Sequence, residues 1–231
     1  PLKDDLTIDL DGMAAAVTDD VSLVYICNPN NPTGHTLDGD KLRDFCRNVG
    51  RRAVVMVDEA YNELTDRPDY TSMIDLVRDG ENVIVMRTFS KLFGMAGMRV
   101  GYGIARPDPA RTVADHVMAW PNGVGLAAAK ACYTDDEFIK FSRSKIFEGR
   151  DMVVDTLRKN GIEPLPSQTN FVFANIGRNG AEFQKQMAER KILIRGRYAQ
   201  CPDYIRVSMG KIEDIETFQT VFTDVFRGRP D

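Results

Sequence analysis

The chain has 231 residues, enough for one large domain or two modest ones, and its 43% hydrophobic and 28% charged content exclude a largely disordered polypeptide. A net charge of −4 with both signs interspersed gives no electrostatic basis for nucleic-acid binding, and no apolar run reaches the length of a membrane span. Four scattered cysteines (Cys27, Cys46, Cys132 and Cys201) read as buried thiols of a reducing cytoplasm, and two histidines, His35 and His116, argue against a histidine-rich metal site.

In chain order, residues 21–27 (VSLVYIC), 53–57 (AVVMV), 82–88 (NVIVMRT) and 100–105 (VGYGIA) read as strands. The first three are nearly continuous apolar runs, as expected for strands covered on both faces. Between the first two, residues 38–49 form a helical pattern with Leu42, Phe45 and Val49 on one face. This strand–helix–strand rhythm predicts an α/β fold, a mostly parallel sheet with helices on both sides. From about Asp135 the pattern changes to a long helix over 135–160 that ends at Gly161, with Pro164 just beyond. A strand at 170–174, a helix at 181–190, short strands near 192–194 and 204–208, and a closing helix from Ile212 follow. We therefore expect a larger α/β domain over 1–140 and a smaller α+β domain over 141–231.

Three segments carry chemistry. The first, Asn28-Pro29-Asn30-Asn31-Pro32-Thr33-Gly34, follows a buried strand, where a polar turn is either a turn only or a ligand contact at a strand end. The second, Asp58-Glu59-Ala60-Tyr61, ends another strand. Asp58 there can hold a metal-bound nucleotide, face a cationic ring nitrogen, or cap the following helix. The nucleotide reading needs a GxxxxGK[ST] phosphate loop, and the sequence has none. The third segment runs from Arg87 through Thr88, Phe89, Ser90, Lys91 and Arg99 to Gly101. A lysine at a strand end can bond covalently to an aldehyde, while neighbouring hydroxyls and an arginine suit a phosphate monoester. Gly101-Tyr102-Gly103 makes a poor dinucleotide turn, because Arg106 stands where a third glycine belongs.

In their order and separations these segments resemble the fold-type I enzymes that use pyridoxal 5′-phosphate (PLP), specifically class I/II aminotransferases of the histidinol-phosphate aminotransferase group. NPNNPTG, VDEAYNEL, RTFSKLFGMAGMRVGYGIA and YIRVSMG carry the resemblance, which extends over essentially the whole chain. It implies that Lys91 holds PLP and then moves a proton, which needs an amine well below its free pKa of ~10.4. It implies that Asp58 pairs with the pyridine nitrogen so that the ring serves as an electron sink. Asn31 and Tyr61 would bond the ring's phenolic oxygen, and Thr88, Ser90 and Arg99 would bind the phosphate. Arg206 would grip the substrate carboxylate, for which a planar guanidinium is better suited than lysine. Arg195, with Arg197 competing, would bind a side-chain phosphate, and Asn170 is a further substrate candidate. The partners implied are an amino donor, a 2-oxo acid and a second copy of the chain in a homodimer.

The resemblance leaves open an aromatic or aliphatic amino-acid aminotransferase, a decarboxylase, a carbon–sulfur lyase or a non-catalytic relative. The retention of Asn31, Asp58, Tyr61, Lys91, Arg99 and Arg206 argues against the last. Relatives carry an additional N-terminal part with a glycine-rich phosphate turn and an aromatic residue stacked on PLP. The chain starts at Pro1, so we expect these residues to be part of a longer polypeptide, binding PLP weakly when made alone. Residues 121–125 (PNGVG) also depart from the relatives' more polar run.

Overall fold

The computed structural model describes residues 1–228. The chain divides into two compact units: one of Pro1–Asn31 and His35–Lys140, the other of Pro32–Gly34 and the chain from Phe141 onward.

The first unit contains α1 (Leu10–Ala15), β1 (Leu23–Cys27), α2 (Gly39–Gly50), β2 (Val54–Asp58), α3 (Pro68–Thr71), α4 (Ile74–Arg78), β3 (Val83–Thr88), β4 (Gly101–Ile104), α5 (Pro107–Asp115) and α6 (Gly123–Tyr133). Helix α2 starts where Asp38 accepts the Lys41 N–H at 3.0 Å, satisfying one of the amides that a helix start leaves without a partner. It buries Leu42, Phe45, Cys46 and Val49, which pack with Val24, Ile26, Val55, Val57, Val83 and Val85 of the sheet and Leu76 of α4. Each such side chain contributes about 1.5–3 kcal/mol of transfer free energy on full burial.

The strands lie in the order β1-β2-β3-β4, with the first three parallel and β4 antiparallel. The predicted mostly parallel sheet is thus present. The expectation that its first three strands are covered on both faces is not met among the described residues. Burial alternates along β1 and β2, and on the face away from α2 the side chains Leu23 and Tyr25 are 49% and 53% exposed. An unbroken apolar run shows that both faces of a strand are apolar, but not that both have a covering layer. Pairing of Cys27 with Asp58, and of Asp58 with Met86, brings the carboxyl-terminal ends of β1, β2 and β3 to one edge. At the start of β4 a side chain would not fit: a Cβ on Gly101 would stand 2.8 Å from the Arg87 carbonyl oxygen.

In α7 (Asp136–Lys159) the chain passes from the first unit to the second. Gly161, at φ +78°, takes the left-handed conformation that glycine adopts without a Cβ penalty. The Gly161 and Ile162 amides bond back to Arg158 and Leu157 at 2.9 and 3.0 Å, closing the helix in a Schellman turn. The second unit continues with β5 (Phe171–Asn175), α8 (Gly180–Glu189), β6 (Tyr204–Ser208) and α9 (Ile212–Phe226). Its core joins Val153, Leu157, Val172, Phe183, Ile205 and Phe222. The short strand expected near residues 192–194 is absent. Lys191, at φ +66°, ends the α8 turn, and Ile192 and Ile194 pack on the core from irregular chain. Only Arg195 forms a bridge there, to Arg206. Alternating burial produces a strand-like pattern even where no ladder forms.

Next to the strand ends lies a buried ion pair. Glu59 is 0% exposed, and its Oε2 accepts from Arg87 Nη2 at 2.8 Å and from the Ser72 hydroxyl at 2.9 Å. Its Oε1 accepts the Met73 N–H at 2.6 Å, and Arg87 Nη1 reaches Glu63 at 3.2 Å. Burial pushes the Glu59 carboxyl above its usual range, against the opposing pull of the Met73 amide and Arg87. Removing one partner of such a pair leaves a buried charge unmatched. Glu59→Ala is expected to lower unfolding free energy by about 3–5 kcal/mol in urea titrations. Glu59→Gln, which keeps a polar group opposite Met73 and Ser72, should lose less.

Candidate active site

Asp58 is the last residue of β2. Its Oδ2 accepts from the Tyr25 hydroxyl at 2.6 Å, and its Oδ1 accepts the Ala60 N–H at 3.0 Å. The second bond is a short-range turn contact of the kind expected for a capping aspartate. The first comes from a residue 33 positions away, on the neighbouring strand β1. Cys27 lies beside this pair. Burial first, then the nearby Asp58 charge, push its thiol up to about 11, so it stays neutral near pH 7. Partial burial and the same carboxylate push the Tyr25 phenol well above its usual value.

The first turn is held from within. Asn28 donates its N–H to the Asp58 carbonyl at 3.0 Å, its side-chain oxygen accepts the Leu37 N–H at 2.8 Å, and Asn30 bonds to the His35 carbonyl at 2.8 Å. This loop presents Asn31, whose Nδ2 donates to the Tyr61 hydroxyl at 3.4 Å. Tyr61 is buried, and the Lys91 ammonium stands 5.2 Å from its ring centroid, within range of a cation–π attraction. Asn31, Asp58, Tyr61 and Lys91 thus come from three strand ends to one edge of the sheet.

The third segment folds tightly. Thr88 Oγ1 accepts the Ser90 N–H at 3.0 Å, and Phe89 N–H bonds to the Val100 carbonyl at 3.1 Å, which brings the backbone of Arg99 beside the 88–91 turn. Arg99 itself is left-handed, at φ +55°, with an exposed side chain whose Nη1 donates to the Ala96 carbonyl at 2.9 Å.

In the second unit, Arg206 lies mid-strand in β6 with its guanidinium 5.0 Å from the Phe171 ring centroid. Arg195 exchanges two backbone bonds with it, at 2.7 and 3.1 Å, and stands 5.5 Å from the Tyr198 ring. Asn170 precedes β5, and its carbonyl accepts the Met209 N–H at 2.9 Å. Arg197 is exposed. Sequence reasoning missed Tyr25, Glu59 and Arg87. For Tyr25 the one available signal was strand alternation, which puts it on the face of Cys27.

An amine, a carboxylate and an amide–phenol pair at the ends of parallel strands can bind a carbonyl compound covalently while holding a cationic group and an oxygen of the same ligand. The chain is 39% identical over 213 residues to a histidinol-phosphate aminotransferase of Akkermansia muciniphila, covering 91% of this chain and 58% of that protein. It is 38% identical over 215 residues to an aromatic amino acid aminotransferase of Mycobacteroides abscessus, covering 93% and 61%. Among solved structures, a histidinol-phosphate aminotransferase from Sinorhizobium meliloti in complex with pyridoxal-5′-phosphate superposes with a TM-score of 0.90 at 31% identity, covering 100% of this chain and 64% of that one. The chain therefore spans about three fifths of the length of these curated relatives. The sequence model of aminotransferase class I and II matches residues 1–221, and the chain belongs to that family.

Proposed function

We propose that this chain carries the cofactor-binding and catalytic groups of a PLP-dependent aminotransferase. It would move an amino group from an amino-alcohol phosphate such as histidinol phosphate, or from an amino acid, to a 2-oxo acid. The observation that carries the reading is the Lys91 ammonium over the Tyr61 ring, with the Tyr61 hydroxyl bonded to Asn31. That donor set suits PLP: an amine for its aldehyde, the Asp58 carboxylate for its ring nitrogen, and an amide–phenol pair for its ring oxygen. When bound, the cofactor supplies an electron sink for charge developing at the substrate's α-carbon.

The chain's own residues do the rest. Lys91 Nζ would hold the cofactor through its aldehyde group and, with substrate bound, would carry a proton to and from the substrate's α-carbon. Asp58 would pair with the ring nitrogen and favour its protonated form, each pKa unit of that effect being worth about 1.4 kcal/mol. Asn31 and Tyr61 orient the ring, and Thr88, Ser90 and Arg99 bind the phosphate; for Arg99 this requires its guanidinium to leave the Ala96 carbonyl. In the second unit Arg206 takes the substrate carboxylate, Arg195 a side-chain phosphate, and Asn170 a substrate polar group. The larger cofactor domain is assigned to residues 1–140 and the smaller one to 141–231. The reading extends to a homodimer, by family resemblance, working in the cytoplasm, where the four free thiols would stay reduced.

Similarity to an aromatic amino acid aminotransferase supports a second substrate reading within the same chemistry. The two differ in the need for a cation facing the side chain. Arg195→Ala is expected to raise KM for histidinol phosphate by about tenfold or more, the loss of one charge-assisted contact. It should leave KM for phenylalanine within about twofold. Equal loss on both substrates would remove Arg195 from phosphate binding. For the cofactor, borohydride reduction of PLP-treated protein followed by peptide mapping should place a phosphopyridoxyl group on Lys91. Lys91→Ala should abolish that adduct and lower kcat by about 10²–10⁴. An adduct on another lysine, or none in a folded full-length protein, would end the enzyme reading.

A further inference from the structure

We propose that Tyr25 is a positioning residue for Asp58, holding its carboxylate in a fixed orientation toward a cationic ring nitrogen; the inference rests on the cofactor reading above. An aspartate carboxylate turns readily about its Cβ–Cγ bond, so a single contact does not orient it. Here the two oxygens are held separately, Oδ1 by the Ala60 N–H at 3.0 Å and Oδ2 by the Tyr25 hydroxyl at 2.6 Å. The second distance is that of a charge-assisted bond between a hydroxyl and an anion. Each oxygen keeps a further lone pair for the ligand.

The fold does not require that hydroxyl. Tyr25 projects from the sheet face away from the α2 core and is 53% exposed, so phenylalanine would serve the strand equally well. The groups around Asp58 are compatible with an anion there. The Cys27 thiol is held neutral beside it, and the Lys91 ammonium lies near Cys27. The backbone of Asp58 is fixed by its pairing with Cys27 and Met86 and by the neighbouring Glu59–Arg87 pair. The side chain is therefore the remaining freedom, and Tyr25 removes it.

The test compares Tyr25→Phe with wild type, in the protein at its full natural length, loaded with PLP labelled with ¹⁵N in the ring. Three quantities are read: the melting temperature without cofactor, the Kd for PLP, and the ¹⁵N resonance of the bound ring. We expect an unchanged melting temperature, a Kd weakened about tenfold by loss of one bond to a charged group, and a ¹⁵N resonance displaced toward that of unprotonated pyridine. A lowered melting temperature with an unmoved resonance would mark a structural role and overturn the proposal. So would a variant indistinguishable from wild type when wild type carries PLP on Lys91. If wild type takes up no PLP, the cofactor reading fails and this inference falls with it.

Discussion

Glu59 and Arg87 fasten the ends of β2 and β3 together from inside the protein, and the site geometry depends on that fastening. Glu59 directly follows Asp58, and Arg87 directly precedes Thr88 and the turn that leads to Lys91. A shift of either strand end would move Asp58 or the turn that carries Lys91. A buried ion pair is a poor source of net stability, since desolvation opposes the Coulombic gain. It is sharply directional, however: the Glu59 oxygens are answered by a guanidinium, a hydroxyl and a backbone amide, and few other arrangements would answer them all. Its contribution is to exclude alternative placements of the two strand ends more than to lower the energy of the native one.

On that platform the polar groups divide into pairs. Asp58 is partnered by Tyr25, and Lys91 lies over the ring of Tyr61, which is in turn bonded to Asn31. Each charged group is thus oriented by a neutral aromatic residue on a different strand or loop. A neutral partner restrains a charge without cancelling it. The surrounding alternation of apolar residues keeps the opposite sheet face buried under α2 and α4.

What was legible in the sequence was local. Helix α2 was readable because the apolar spacing of Leu42, Phe45 and Val49 lies within one short stretch of chain. The three site segments were readable because each keeps its chemistry contiguous, as in the run from Thr88 to Lys91. The Tyr25–Asp58 and Glu59–Arg87 contacts join residues 33 and 28 positions apart and follow from strand register, which hydrophobic pattern does not specify between parallel strands. The direction of β4 was likewise hidden, since apolar alternation is the same read either way. Near Ile194 the pattern misled, because burial on a core alternates without any sheet being present.

The second unit adds an argument of its own about charge. Arg195 and Arg206 are directly opposed and exchange both backbone bonds, an arrangement that puts two side chains on the same side of an antiparallel pair. Like charges in such positions repel and destabilise the pairing. Aromatic rings near both guanidiniums, Phe171 for Arg206 and Tyr198 for Arg195, relieve part of that cost through attraction to their faces. An anionic ligand would relieve it more completely, and a ligand with two anionic groups most of all. Under the proposed function, substrates that present a phosphate in one half-reaction and a carboxylate in the other would turn this pair of cations into a recognition element.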